Sequence, residues 1–145
     1  MTAESSKKSR AMSEWEPLIA ALRAELQEFG GLIRLLNDEQ DTIFSHPALV
    51  SKTPESITRQ HSLALMSTRI RTGLMTVPGP NGERLAASAK EITGIVPAEI
   101  QPLLEALFSE VETLALRAGD RANQSDWLRK RAPLLAATMA ERARS

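Results

Sequence analysis

A run of apolar residues near the start of the chain constrains the fold most. Its members recur at alternating steps of four and three residues, the spacing of helices that pack at a shallow angle. A helix carrying the run is on the order of 45 Å long at about 1.5 Å per residue, far longer than a typical globular helix. The run therefore predicts an elongated bundle rather than a compact globin-like fold. It comprises Trp15, Ile19, Leu22, Leu26, Phe29, Ile33, Leu36, Gln40 and Ile43.

The limits of this first helix are predicted from its flanks. Residues 1–12 are small, polar and aperiodic, which is typical of a disordered lead-in. Ser13 stands three residues before Glu16, the spacing of a capping box, so we expect the helix to begin there. Gly30 and Gly31 are poor helix formers, but the spacing of the run continues through them unchanged. We expect a continuous helix, with a close helix neighbour or a mild bend at the glycines favoured over a hinge.

Two further segments are predicted in the middle of the chain. Thr53 is the expected N-cap of a second helix that runs from Pro54 to about Met75. After the breaker "TVPGPNGE" we expect a short helix from about Glu83 to Thr93. The predicted inner side of the second helix comprises Ile57, Leu63, Met66, Ile70 and Leu74.

The last helical region is predicted to begin between Pro97 and Pro102, and it forms either one long helix or two helices joined by a loop. The segment 117–126, "RAGDRANQSD", is polar enough for a loop. The three/four phase nevertheless continues through it, and a loop has no reason to keep phase. We therefore favour one long helix, bent at Pro133, over two helices. Its seam comprises Ile100, Leu104, Leu107, Val111, Leu114, Ala118, Arg121, Ser125, Leu128, Ala132, Leu135 and Met139.

Composition supports an all-α fold: an elongated antiparallel helical bundle of three long helices plus a short middle helix, with an extended C-terminal helix. Aromatic residues are scarce and Tyr is absent, whereas strands favour aromatic and β-branched residues. We expect residues 13–118 to form the bundle and residues 119–145 an amphipathic C-terminal helix. The absence of cysteine, of a signal sequence and of a long apolar run predicts a cytoplasmic protein.

Residues with catalytic or metal-binding chemistry form no recognisable pattern. The two histidines lack a ligand spacing, and no phosphate-binding loop or nucleophile elbow is present. The acidic residues of the first helix lie off its seam, so we expect them to be solvated or interface charges. These are Glu25, Glu28, Asp38 and Glu39. We predict no enzyme activity, cofactor, metal, nucleic acid or small-molecule substrate; the net charge of zero gives nucleic acid no general attraction.

The C-terminal segment carries the candidate site. Trp127 and Leu134, like Leu128 and Leu135, stand one heptad apart, and together with Met139 they make a wide apolar stripe. The stripe either packs on the bundle or forms a groove for a partner's amphipathic helix. The polar stretch before it and the adaptable methionine favour the partner.

The same residues suggest a family. "WEPLIAALRAELQEFGGLIRLLNDEQDTI" resembles the opening helix of FlgN-like flagellar type III export chaperones. The matching residues are Leu22, Glu25, Phe29, Leu32, Leu35, Leu36 and Glu39. "LALRAGDRANQSDWLRKRAPLLAATM" resembles the closing helix of that family, through Asn123 and the following Leu- and Arg-rich stretch that includes Arg131.

The resemblance implies a cytoplasmic chaperone. It would bind the C-terminal helical segment of hook-associated (hook–filament junction) proteins, prevent their aggregation and deliver them to the membrane export gate. Asn123 and Arg131 would then join the stripe as client-binding residues. Two alternatives remain open: a structural or adaptor bundle that homo-oligomerises, with a possible homodimer, and a binder of RNA or lipid through the terminal arginines.

Overall fold

The structure is a computed structural model that describes residues 3–50 and 52–144, with side chains from Ser13 onward. Most of the residues in these ranges are helical. Within these ranges there are four α-helices, a 3-10 turn at Pro47–Leu49 and one two-stranded hairpin. The helices are α1 (Ala3–Ser45), α2 (Glu55–Leu74), α3 (Ala89–Ile95) and α4 (Gln101–Arg144), and the strands are β1 (Thr76–Pro78) and β2 (Arg84–Ala86). The predicted predominance of helix is confirmed.

The long helix α1 is the centre of the fold, because both α2 and α4 pack against it. Gln60 of α2 bonds Glu28, whereas Arg71, later in α2, bonds Glu25, so α2 runs antiparallel to α1. Helix α4 runs parallel to α1. Its early residues Leu104 and Val111 share a hydrophobic cluster with Trp15 and Leu22, and its later residue Ser125 bonds Gln40 near the end of α1.

The proximal end of the molecule, near Trp15, is closed by large apolar side chains. Residues from the hairpin region, α3 and the start of α4 pack there against α1. The capping box of Ser88 and Glu91, in which each side chain accepts the other's backbone N–H, fixes the start of α3. This proximal cluster comprises Trp15, Leu18, Ile19, Leu22, Met75, Ile92, Val96, Ile100, Leu104 and Val111.

The hairpin corrects the predicted helix from Glu83 to Thr93. Thr76 pairs with Ala86 and Pro78 with Arg84 in antiparallel register. Gly82 takes φ +81° at the tip, a conformation that glycine adopts without a steric penalty. Strands on both sides of this Asn-Gly turn therefore replace the first turns of the predicted helix, and α3 begins only at Ala89.

The start of α1 also differs from the prediction. The helix begins at Ala3, so Ser13 lies inside it rather than at its N-cap. A preformed helix extends at little cost, because each added residue gains a hydrogen bond. The predicted disorder of residues 1–12 is contradicted for the helical backbone of residues 3–12, whereas Met1 and Thr2 lie outside the described residues.

Helix α4 confirms the prediction of one helix through residues 117–126 and past Pro133. Its buried residues recur every seven positions: Leu104, Val111, Ala118, Ser125 and Ala132. The two nearest the proximal end are large, and the three towards the distal end, where α1 finishes, are small. The distal part of α4 therefore presents little side-chain volume to α1.

Of the acidic residues predicted on α1 to be solvated or interface charges, two are interface charges that are buried between helices. Glu25 is 1% exposed and Glu39 is 6% exposed. They occupy the same heptad position as the buried Leu18 and Leu32, because α1 is covered on two sides and buries a wider face than its seam alone. Each carboxylate is bonded by an arginine of a neighbouring helix, which a buried charge requires.

Helix α2 is rotated relative to the prediction: Ile57 is buried as predicted, but the other four residues of the predicted inner side are not. Its large apolar residues Leu63, Met66, Ile70 and Leu74 are exposed; we call them the α2 stripe. The face towards α1 is mostly small or polar. Arg71 and Thr68 bond Glu25 there, and Gln60 bonds Glu28. Leaving Glu25 buried without a partner would cost about 3–5 kcal/mol, so the α1 surface selects the polar face of α2.

The remaining local predictions have mixed outcomes. Helix α1 continues through Gly30 and Gly31 as expected, and at Gly31 an added Cβ would lie 3.1 Å from Nε2 of Gln60 in α2. The predicted N-cap Thr53 is wrong by one residue. Pro54 occupies that position without a side-chain bond, and α2 begins at Glu55.

Candidate partner-binding surface

The predicted site residues lie on the distal part of α4, and most of them are open to solvent. Trp127 is 54% exposed, Leu134 69% and Met139 48%. Leu128 and Leu135 are half-buried, and Asn123 and Arg131 are exposed. The stripe is thus not enclosed by the rest of the described chain.

The heptad of α4 explains this exposure. The buried residues Ser125 and Ala132 take the position that faces α1. Trp127 and Leu134 each follow them by two residues, about 200° around the helix, and so point away from α1. The small residues bring the two helices together, and the large side chains are left outside.

A shallow groove lies where the end of α1 meets α4. It is about 500 Å³ in volume and has two exposed aromatic rings, those of Phe44 on α1 and Trp127 on α4. Polar amides border it. The lining residues are Gln40, Phe44, Asn123, Gln124, Trp127 and Leu128. We call this groove, with its continuation along α4 through Arg131, Leu134 and Leu135, the distal surface.

Phe44 is the residue of this surface that the sequence analysis missed. It follows Ile43, the last buried residue of α1, and therefore falls outside the three/four run. A large aromatic residue outside the apolar run of an amphipathic helix could have identified it as a binding candidate, because the packing of the helix does not require an aromatic residue there.

Arg131 and Trp127 form a preorganised pair. The guanidinium carbon of Arg131 lies 3.7 Å from the centroid of the Trp127 ring, well within cation–π range. Nη1 of Arg131 also donates a hydrogen bond to the backbone carbonyl of Trp127 at 3.2 Å. The two contacts hold both side chains in one orientation without burying them.

An ion pair fixes the helix beneath this surface. Arg129 donates two hydrogen bonds to the Glu39 carboxylate of α1, Nη2–Oε1 at 2.7 Å and Nε–Oε2 at 3.2 Å. One turn earlier, Gln40 donates to the Ser125 hydroxyl at 3.1 Å. A bidentate charge pair in a partly buried setting is strong and directional. From Ser125 to Arg129, α4 is therefore attached to α1 largely by polar contacts, whereas Ala118 and Ala122 belong to an apolar cluster with α1.

The structure separates Met139 from the rest of the predicted stripe. Met139 borders a hollow of about 360 Å³ with Ala136 of α4 and the 3-10 turn, including His46 and Leu49. It therefore lies beyond the end of α1 and away from the groove that contains Trp127. The predicted set forms one continuous surface only from Asn123 to Leu135.

Two other apolar features occur outside the distal surface. The α2 stripe is exposed to solvent. A second groove, of about 440 Å³, lies between α2 and α4 over a floor of Phe29, Leu32 and Leu36. That floor is buried, and the exposed Leu65 of α2 borders the groove above it.

Metal sites and membrane spans are two further features that the described ranges could contain. No three His, Asp or Glu side chains there are arranged to hold a metal ion. None of the described helices has an apolar stretch long enough to cross a lipid bilayer.

Comparison of the chain with family models, with curated proteins and with solved structures gave no match. The assignment of function therefore depends on the surface itself and on the resemblance of the two long helices described above.

Proposed function

We propose that the protein is a cytoplasmic export chaperone that binds an amphipathic helical segment of a client on its distal surface. The client class that the sequence resemblance favours is the C-terminal segment of hook-associated flagellar proteins, with delivery to the membrane export gate. The observation that carries the proposal is the exposed aromatic and aliphatic surface centred on Trp127, which the packing of the chain itself does not use.

The dimensions of the distal surface support a helix as ligand. Trp127 and Leu134 are one heptad apart, and two turns of helix separate them by about 10 Å. A partner helix that carries apolar residues at three/four spacing presents side chains at the same interval. The groove beside Phe44, about 500 Å³ in volume, has room for a large side chain of that partner.

The mechanism needs no chemical step. A free client segment exposes an apolar stripe and is prone to aggregate; covering the stripe removes apolar area from water and keeps the segment monomeric. Release requires only that another surface compete for the same stripe. An affinity roughly between micromolar and nanomolar is compatible with such a handover.

The test is capture of hook-associated protein C-terminal segments by the purified chain, with and without the double substitution Trp127→Ser/Leu134→Ser. We expect the wild type to retain the segment and the double variant to lose it. Leu116→Ser is the matched control, because Leu116 is also an exposed leucine of α4 but lies outside the distal surface. Equal capture by all three proteins would contradict the proposal.

A truncation from Ser125 would remove the Glu39–Arg129 ion pair together with much of the distal surface. Removal of the chain from Ser125 onward would delete Arg129 and leave Glu39 buried without its partner. Loss of capture would then report unfolding instead of a missing surface. Point substitutions at exposed positions avoid this ambiguity.

Self-association is the second candidate function, and the α2 stripe is the observation that favours it. The α1 seam is covered by α2 and α4, so a second copy has no access to it. In an antiparallel two-fold pairing of α2 helices, Leu63 would meet Leu74 and Met66 would meet Ile70, which makes the stripe self-complementary. Sedimentation equilibrium of the wild type and Met66→Asp tests this: a dimer that the substitution dissociates supports it, and a monomeric wild type contradicts it.

A further inference from the structure

The distal surface has one cation without a carboxylate. Of the charged residues between positions 126 and 131, Asp126 pairs with Arg129 and Lys130, and Arg129 also pairs with Glu39. Among the described residues, Arg131 contacts Trp127 through a hydrogen bond and a cation–π stack, and it forms no ion pair. Three cations thus face two carboxylates, and the excess positive charge lies at Arg131.

Arg131 is positioned to receive an anionic group. Its guanidinium carries five N–H donors, of which one is used by the Trp127 carbonyl. Stacking on the indole covers one face of the guanidinium and leaves the edge, where the donors lie, open. An arginine held in one orientation loses less side-chain entropy when it forms a two-pronged bond with a carboxylate.

The surroundings of Arg131 are apolar along the helix axis. Trp127 lies one turn before it, and Leu134 and Leu135 lie on the following turn. A ligand that pairs with Arg131 and also contacts its apolar neighbours therefore has to carry a carboxylate beside an apolar stripe. Nucleic acid fits poorly, since phosphate binding requires several free cations and Arg129 and Lys130 are already paired.

Resting on the proposed function, we infer that the partner helix is acidic: it carries Glu or Asp beside its apolar stripe, and one such carboxylate binds the Arg131 guanidinium stacked on Trp127. Arg131 selects the partner by charge, while Trp127, Leu128 and Leu134 supply the apolar contact. The arrangement follows the logic of coiled coils, in which flanking charges choose the partner of an apolar seam.

The test uses two labelled synthetic amphipathic helices of about 20 residues that share one leucine stripe, one flanked by Glu and the other by Lys. Fluorescence anisotropy at about 0.15 M salt measures their dissociation constants for the full chain. We expect the wild type to bind the Glu-flanked helix roughly fivefold to tenfold more tightly. Arg131→Gln should abolish the preference, and Arg131→Glu should reverse it.

Arg23→Glu is the matched control. Arg23 is an exposed residue of α1, 21 residues before Phe44, or about 32 Å along the helix, and its reversal changes the net charge by the same amount. This variant should keep the wild-type preference. Equal affinity of the wild type for both helices, or an unchanged preference in Arg131→Glu, would overturn the inference but leave apolar docking intact. Failure of both helices to bind would overturn the inference and the proposed function together.

Discussion

The proximal and distal halves of the molecule use the same two helices in different ways. In the proximal half, α4 presents Leu104 and Val111 to α1, and large apolar side chains fill the interface. In the distal half, α4 presents Ala118, Ser125 and Ala132, and its large side chains point outwards. A helix has a limited number of apolar residues, and those that do not fill its own interface remain available to a partner.

The mode of attachment changes along with the packing. The proximal half is joined by apolar contact over the α3 and hairpin region, whereas the distal half combines a smaller apolar cluster of Phe29, Leu32, Leu36 and Ala118 with the Glu39–Arg129 pair and the Gln40 bonds. Ion pairs and hydrogen bonds fix the alignment of α4 on α1 without burying large apolar side chains. The comparison therefore assigns stability mainly to the proximal half and recognition mainly to the distal half.

The largest expected effect is on the proximal cluster. Leu22 and Leu104 are fully buried, so Leu22→Ala or Leu104→Ala should each lower the free energy of unfolding by about 3–5 kcal/mol through lost contact and a residual cavity. Urea denaturation followed by circular dichroism measures this. A loss below about 1 kcal/mol at both sites would show that the interface is looser than described.

The ion pair gives the next largest effect. Glu39→Ala should lower the free energy of unfolding by about 3 kcal/mol, because Arg129 would remain partly buried without its carboxylate. Asp38→Ala, at an exposed neighbouring position, is the control and should change it little. The paired substitution Glu39→Leu/Arg129→Leu should recover most of the loss, and no recovery would argue against this account of the pair.

The close approach of α1 and α4 in the distal half is tested by enlarging a small buried residue. Ala132→Leu should cost about 1–3 kcal/mol, since no space exists at a fully buried position for the added atoms. Ala137→Leu makes the same change at an exposed position of α4 and should be nearly neutral. Similar stabilities of the two variants in thermal unfolding would contradict the close packing.

The two adjacent glycines of α1 give the smallest and opposite effects. Gly30→Ala meets no atom within 4 Å and should stabilise the helix by up to about 1 kcal/mol. Gly31→Ala places a Cβ 3.1 Å from Nε2 of Gln60, which bonds the Glu28 backbone and carboxylate. Displacing Gln60 should offset the gain. Unfolding midpoints that rise equally in both variants would rule out this contact.

The periodic parts of the sequence were the predictable parts. The continuity of α1 from Trp15 to Ile43 and that of α4 through residues 117–126 both follow from an unbroken three/four phase, which is a local property of each helix. The hairpin at Thr76–Ala86 was missed because the Asn-Gly turn was taken only as a helix breaker, whereas it also joins two short strands.

The orientation of α2 was not predictable from α2 alone. Its own apolar residues favour burial of Leu63, Met66 and Ile70, and the opposite face is buried because α1 places Glu25 and Glu28 beneath it. That choice depends on pairings between residues 32 and 46 positions apart. The same holds for the distal surface, where the exposure of Trp127 depends on which heptad position of α4 faces α1.

The central claim, that the distal surface serves binding and not stability, is tested most directly by measuring unfolding and client capture on the same Trp127→Ser/Leu134→Ser protein. We predict a free energy of unfolding within about 0.5 kcal/mol of the wild type, together with loss of capture of the helical segment. A fall of about 2 kcal/mol or more, or capture at the wild-type level, would contradict the claim.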